Sequence, residues 1–304
     1  MELRSLPVNA IPAGAVVVGV DGSDPGDAAV AWAADQAALE HRPLVLAHAI
    51  GTLGTSGTVW LSEGADPAPV LRDLHEHANT VLEAAAAHVA RRRPSVVVHT
   101  TTAADDPRQM LLDLSRHAGT VVVGSRGRGR VRSLLLGSVS AATARHATCP
   151  VVVVRPHHPG IVRRGVLVGA DGSPASLPVL EFAFREAAQR RLPLTVMHCV
   201  WDAVATVTTP HVVGTDASSV EEARLLLAES IAGLGEKHPD VHVTQQVARG
   251  LPGACLGQVA DSMDLVVVGR RQAGAWSRVV DGDVSHDLVE HARTVVAVVP
   301  ELSR

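Results

Sequence analysis

Apolar residues along this chain alternate between two rhythms. Short runs dominated by β-branched residues fall near residues 15–21, 44–50, 96–102, 120–124 and 151–155. Unbroken apolar runs of this length, bounded by turn residues, read as strands buried on both faces. Between them the period lengthens. Val70, Leu74, His77, Val81 and Ala85 share one face of a helix ahead of Arg91-Arg92-Arg93, and Met110, Leu111 and Leu114 form a similar stripe after Pro107. The segment from Ser138 to His146 reads as a further helix. The order βαβαβαβαβ implies a parallel sheet covered by helices on both faces.

The pattern then repeats. Ala15–Ser23, with its Asp21-Gly22-Ser23, returns at an offset of 150 as Gly165–Ser173, with Asp171-Gly172-Ser173. Leu44–Ala49 returns at the same offset as Leu194–Cys199, and Val121–Gly124 returns at an offset of 145 as Val266–Gly269. The chain therefore reads as a tandem duplication. Prolines and charges interrupt the periodicity between Arg155 and Arg164. The expected division is a short loose tail over 1–13, a first domain over 14–156, a linker over 157–163 and a second domain over 164–304. A length of 304 residues suits two such cores without disulfides.

Composition narrows the function classes. Hydrophobic residues make up 46%, but no apolar run approaches the roughly 18 residues that a membrane helix needs. The segment Met1–Pro12 is not a convincing secretory signal. A net charge of −4, with four Trp, two Phe and no Tyr, is unlike a nucleic-acid binder. All 27 basic residues except Lys237 are arginine, so no lysine follows a glycine loop and a P-loop NTPase is excluded. The three cysteines, Cys149, Cys199 and Cys255, have no metal-type spacing and read as reduced core thiols of a cytoplasmic protein. Sixteen histidines include no pair with carboxylate support for a zinc site, so no metal ligand is assigned. No nucleophile, base and orienting carboxylate can be assembled by spacing, so no catalytic residue is assigned either.

The candidate chemistry lies between the strand ending at Gly124 and the helix beginning at Ser138. A glycine loop allows positive φ and close approach of backbone N–H groups to an anion, and the helix N-terminus adds partial positive charge. Gly124, two residues, Gly127, nine residues, then Gly137-Ser138 resembles, without departure, the nucleotide signature of the ATP-binding branch of the universal stress protein family. The resemblance implies two tandem Rossmann-like (adenine nucleotide alpha hydrolase-like) domains, each a five-stranded parallel sheet of order 3-2-1-4-5. That order would place Asp21 and Gly124 at one topological switch point, where such sheets bind ligands. It further implies that Gly124, Gly127, Gly137 and Ser138 hold a triphosphate, that Asp21, Gly22 and Ser23 lie against adenosine, and that Ala49 helps frame the base. Arg126 and Arg128 are the arginines best placed for phosphate oxygens. Val139 and Ser140 extend the Gly137-Ser138 turn, with Ser140 a candidate helix cap or phosphate contact.

The second copy departs where phosphate would bind. Gly269 is followed by Arg270, Arg271 and Gln272, and the spacer ends in Gly282-Asp283. A carboxylate beside a triphosphate is a like-charge contact. The resulting expectation is a regulatory, stress-response protein that binds ATP, with Mg2+ as a candidate companion, in its first domain. The alternative is a slow ATP hydrolase or a phosphoryl- or adenylyl-transferring enzyme. The family resemblance also implies that the two domains associate through Val151–Val154 and Val295–Val299 as an intramolecular pseudo-dimer, and it leaves a homodimer open. Neither nucleic acid nor membrane is an expected partner.

Overall fold

The computed structural model describes residues 4–51, 68–127, 136–155, 163–200, 211–212, 218–270 and 284–302. It divides into two compact units, Met1–Val154 and Arg155–Arg304.

The first unit runs β1 (Arg4–Ser5), a 3-10 turn (Val8–Ala10), β2 (Val16–Gly19), α1 (Asp24–Glu40), β3 (Leu44–Ala49), α2 (Ala68–Arg92), β4 (Val98–Ala103), α3 (Pro107–Ser115), β5 (Thr120–Gly124), α4 (Ser138–His146) and β6 (Val151–Val154). Parallel pairings place β2 between β3 and β5, with β4 outside β3 and β6 outside β5. Val16, Val17 and Val18 of β2 are fully buried, as the continuous apolar run requires for a strand covered on both faces. The face of α1 against the sheet is built from small residues, Ala29, Val30, Ala33, Ala34 and Ala37, which lets the helix lie close. The helix ends at His41, in the left-handed conformation, with the Arg42 N–H returning to Ala37 O.

Two expectations need correction. The segment read as a loose tail contains β1, which pairs parallel with the outer edge of β4 through Arg4↔His99 and Ser5↔Thr100. An edge strand offers unpaired N–H and C=O groups, and the tail takes them, with Leu6 N donating to Thr100 O at 2.8 Å. The stripe on α2 is also displaced. Val70 and His77 are exposed, and the buried face consists of Ala78, Val81, Leu82, Ala85, Ala86 and Val89, in the C-terminal part of the helix. The stripe expected on α3 is fully buried.

The second unit runs β7 (Val166–Gly169), a 3-10 turn (Pro174–Ser176), α5 (Leu177–Arg190), β8 (Leu194–Val200), β9 (His211–Val212), α6 (Ser218–Lys237), β10 (Val243–Arg249), α7 (Pro252–Ala260), β11 (Leu265–Arg270), α8 (Val284–His291) and β12 (Val295–Pro300). Here β7 lies between β8 and β11, β10 flanks β8, and β12 flanks β11, all parallel. The two-residue β9 adds an antiparallel edge to β10. Phe182 and Phe184 of α5 anchor this core at 2% and 0% exposure. Among the described residues, no helix is long and apolar enough to cross a membrane.

Candidate functional site

Two loops at the carboxyl end of the first unit's sheet build the candidate site. After β2 the chain turns through Gly22 at φ +71°, in the left-handed region where a side chain would be strained. The Asp21 carboxylate closes this turn by accepting from Ser23 N at 3.1 Å and Ser23 Oγ at 2.6 Å. Ser23 is the N-cap of α1, its Oγ in turn accepting from Gly26 N at 3.2 Å. One short chain of hydrogen bonds thus fixes both the carboxylate and the helix start.

The second loop leaves β5 through Ser125, which is buried. Its N–H donates to Val154 O and its carbonyl accepts from Gly137 N, both at 2.8 Å. Ser125 thereby brings the two ends of the glycine loop together, while Arg126 and Gly127 are exposed. Gly137 is the N-cap of α4 and supplies no side-chain acceptor, and among the described residues no side chain caps the first turn of that helix. Ser140, expected as a cap or phosphate contact, instead donates its Oγ to Gly124 O at 2.6 Å and is buried. It ties the helix to the strand end. Ser138 is exposed, Val139 is half-buried, and Ala49 is half-buried at the end of β3. Arg128 lies outside the described residues, as do Arg130 and Arg132.

Gly124 and Gly127 are needed for close contact rather than for torsion. None of Gly124, Gly127 and Gly137 has a positive φ, so of the two roles expected of these glycines, positive φ and close approach, these three do not serve the first. A Cβ on Gly124 would stand 2.6 Å from Pro25 O and 2.8 Å from Pro25 C, inside the first turn of α1. A Cβ on Gly127 would stand 2.5 Å from Asp21 Oδ2. The two loops therefore meet, and they bring together Asp21, Gly22, Ser23, Gly124 and Gly127 with the open start of α4. Beside Gly137 there is room: its nearest contact would be Ser125 O at 3.5 Å, an ordinary van der Waals distance.

Three supporting residues went unassigned in the sequence. Gly26 is buried where a Cβ would meet Asp21 Oδ1 at 2.5 Å. Ser125 joins the loop ends, as described. His48, 8% exposed, donates from Nδ1 to Val20 O at 2.7 Å, which secures the residue before Asp21 and requires the Nδ1–H tautomer. Its signal was the repeat itself, since His198 makes the same bond to Ala170 O at 3.0 Å.

The second unit reproduces the Asp-Gly-Ser turn and alters its surroundings. Asp171 Oδ1 accepts from Ser173 N at 3.0 Å, and Gly172 has φ +75°. Helix α6 crowds this turn, with Leu226 Cβ 3.3 Å from the position of a Cβ on Gly172. At the end of β11, a Cβ on Gly269 would meet the carboxylate of Glu301, whose Cδ lies 2.9 Å from that position. The chain end is held there by Glu301 N donating to Arg270 O and Leu302 N to Ala175 O, both at 3.2 Å. Arg271, Gln272, Gly282 and Asp283 lie outside the described residues.

Each unit is thus a doubly wound α/β domain, and the first sets its switch-point loops beside the start of α4, which no described side chain caps. The chain belongs to the universal stress protein family: the model of that family matches residues 13–155 and again 163–300. A universal stress protein of Mycolicibacterium smegmatis is 37% identical over 289 residues, covering 93% of this chain and 96% of that protein. One from Mycobacterium tuberculosis H37Rv is 35% identical over 292 residues, with 94% and 96% covered. The crystal structure of a universal stress protein from Archaeoglobus fulgidus superposes at a TM-score of 0.68, with 18% identity, covering 95% of this chain and 99% of that one.

Proposed function

We propose that the protein binds ATP in the first unit and serves as a nucleotide-dependent regulatory protein of the stress response. The observation that carries this reading is the meeting of the two loops. Gly127 approaches Asp21 so closely that any side chain there would displace the carboxylate, while α4 begins at Gly137 without a side-chain cap. A triphosphate fits this cradle, because the N–H groups of the first helical turn and the helix dipole favour an anion. The side chains of Ser138 and Arg126, both exposed, supply further donors at the same end. Asp21, held on the opposite lip, suits ribose hydroxyls or a hard cation such as Mg2+ accompanying the phosphates. Ala49, half-buried at the end of β3, would help frame the base.

The second unit keeps Asp171 and the turn, and Glu301 sets a carboxylate against Gly269, where the first unit presents Gly124. ATP therefore occupies the first unit in preference to the second. The test is to denature freshly purified protein by heat, quantify the released nucleotide by chromatography, and titrate the emptied protein with ATP. One nucleotide per chain, lost in Gly137→Val with the fold retained, supports the reading. A Gly137→Val protein with undiminished affinity overturns the loop assignment.

A further inference from the structure

The second unit brings two of the three cysteines together. Cys199 lies near the carboxyl end of β8, where register pairs it with Ala248 of β10. Cys255 lies in α7, and its Sγ approaches the carbonyl of Arg249, the next residue of β10, at 3.6 Å. Both sulfurs therefore sit at the same end of the β8/β10 pair. Both thiols are free, Cys255 buried and Cys199 half-exposed, so the pair has one open side.

We propose that Cys199 and Cys255 are a reversible disulfide site, with hydroperoxides as the oxidant class. The interaction with Cys199 holds the Cys255 thiol below its ordinary range, while Cys255 and burial push the Cys199 thiol up, so Cys255 is the first of the pair to ionise. The Cys255 thiolate attacks the peroxide, breaking the O–O bond and leaving a sulfenic acid, with the departing oxygen taking a proton as water or alcohol. Cys199 sulfur then attacks Cys255 sulfur. The S–O bond breaks, the Cys199 proton leaves with the hydroxyl as water, and the S–S bond forms. Two thiols lose two electrons in all, and one hydroperoxide gains them. The bond ties the end of β8 to α7, and thiol exchange with a reductant reverses it.

The test uses the full chain, reduced, desalted and exposed to hydrogen peroxide, then denatured, alkylated and weighed intact, with a non-reducing peptide map. The expected product has lost two hydrogen atoms, carries one alkyl group at Cys149 and yields a peptide linking Cys199 to Cys255. Dithiothreitol restores three alkylated thiols. Cys149→Ser should still form the link, and Cys199→Ser should leave a sulfenic acid on Cys255 that dimedone traps. Three alkylatable thiols after peroxide, a link through Cys149, or no dimedone adduct on Cys255 in folded Cys199→Ser would overturn the proposal.

Discussion

The turn after the first strand is the same three residues in both units, Asp21-Gly22-Ser23 and Asp171-Gly172-Ser173, and its hydrogen bonding differs. In the first unit Asp21 accepts from both the backbone and the hydroxyl of Ser23, and Ser23 caps α1 directly. In the second, Asp171 accepts from Ser173 N, while Ser173 Oγ is buried with no hydrogen-bond partner among the described residues, and a 3-10 turn precedes α5. The cause lies three residues on. Gly26 allows the Asp21 carboxylate to lie against α1, whereas its counterpart Ser176 has a side chain, which donates to Ser173 O at 2.8 Å. A later helix start follows suit: Asp106 caps α3, and its counterpart Leu251 supplies no cap to α7. Duplication preserved the fold, while side chains at the helix starts decide which copy keeps a tightly built crevice.

The largest effect should come from filling the closest approach. Gly124→Ala drives a Cβ into the backbone of Pro25 and should destabilise the first unit by about 2–3 kcal/mol. Gly269→Ala meets the movable side chain of Glu301 and should cost about 1 kcal/mol or less. Peptide-resolved hydrogen exchange reads each unit separately, and equal losses would break the contrast. Next in size are the caps. Ser23→Ala should cost about 1 kcal/mol by loss of the α1 cap. Ser173→Ala removes an unsatisfied buried hydroxyl and should be neutral or stabilising in the same measurement.

Leu251→Asp should gain about 0.5–1 kcal/mol by giving α7 the cap that Asp106 gives α3. An unchanged denaturant midpoint in the second unit would refute it. The smallest effect is an acid-sensitive increment in the first unit. Hydrogen bonding from the Arg108 guanidinium lowers the Asp106 carboxyl from its ordinary 3.8 to about 2. A folded-state value below the unfolded one means stability that is present above about pH 4 and lost as pH falls towards 2. This pair is mostly exposed, so salt should shrink the increment. In a pH series of unfolding curves, Asp106→Asn should flatten the acid limb, and a limb unchanged by the substitution would contradict the assignment.

Much of this was legible in the sequence because local pattern and tertiary role agree. The valine runs that pair as β2, β5 and β6 are buried on both faces, so their composition alone marks them, and α4 begins after a glycine that cannot continue the side-chain pattern. What the sequence hid depends on distant partners. Arg4–Ser5 has no apolar period, and it becomes a strand because the edge of β4 is open. Val70 and His77 fit the helical period of α2 yet stay in solvent, because periodicity cannot say where the sheet beneath a helix ends. The close contact that Gly127 permits is with Asp21, more than a hundred residues away in the chain. Ser140 looked like a cap and is a tie to Gly124 O. The cysteines read as reduced core thiols, and parallel pairing of β8 with β10 sets Cys199 opposite Ala248, one residue before the carbonyl that Cys255 Sγ reaches.

The most direct measurement is calorimetric titration of nucleotide-free protein with ATP, run in parallel on the unaltered chain, Gly137→Val and Glu301→Ala. Gly137 has ordinary clearance, so the valine should intrude on the ligand space and leave the fold stable. The account predicts one tight site per chain, abolished by Gly137→Val and retained in Glu301→Ala, where a weaker second site should gain affinity once the carboxylate beside Gly269 is gone. Two equivalent sites in the unaltered chain, or a tight site that survives in well-folded Gly137→Val, would contradict it.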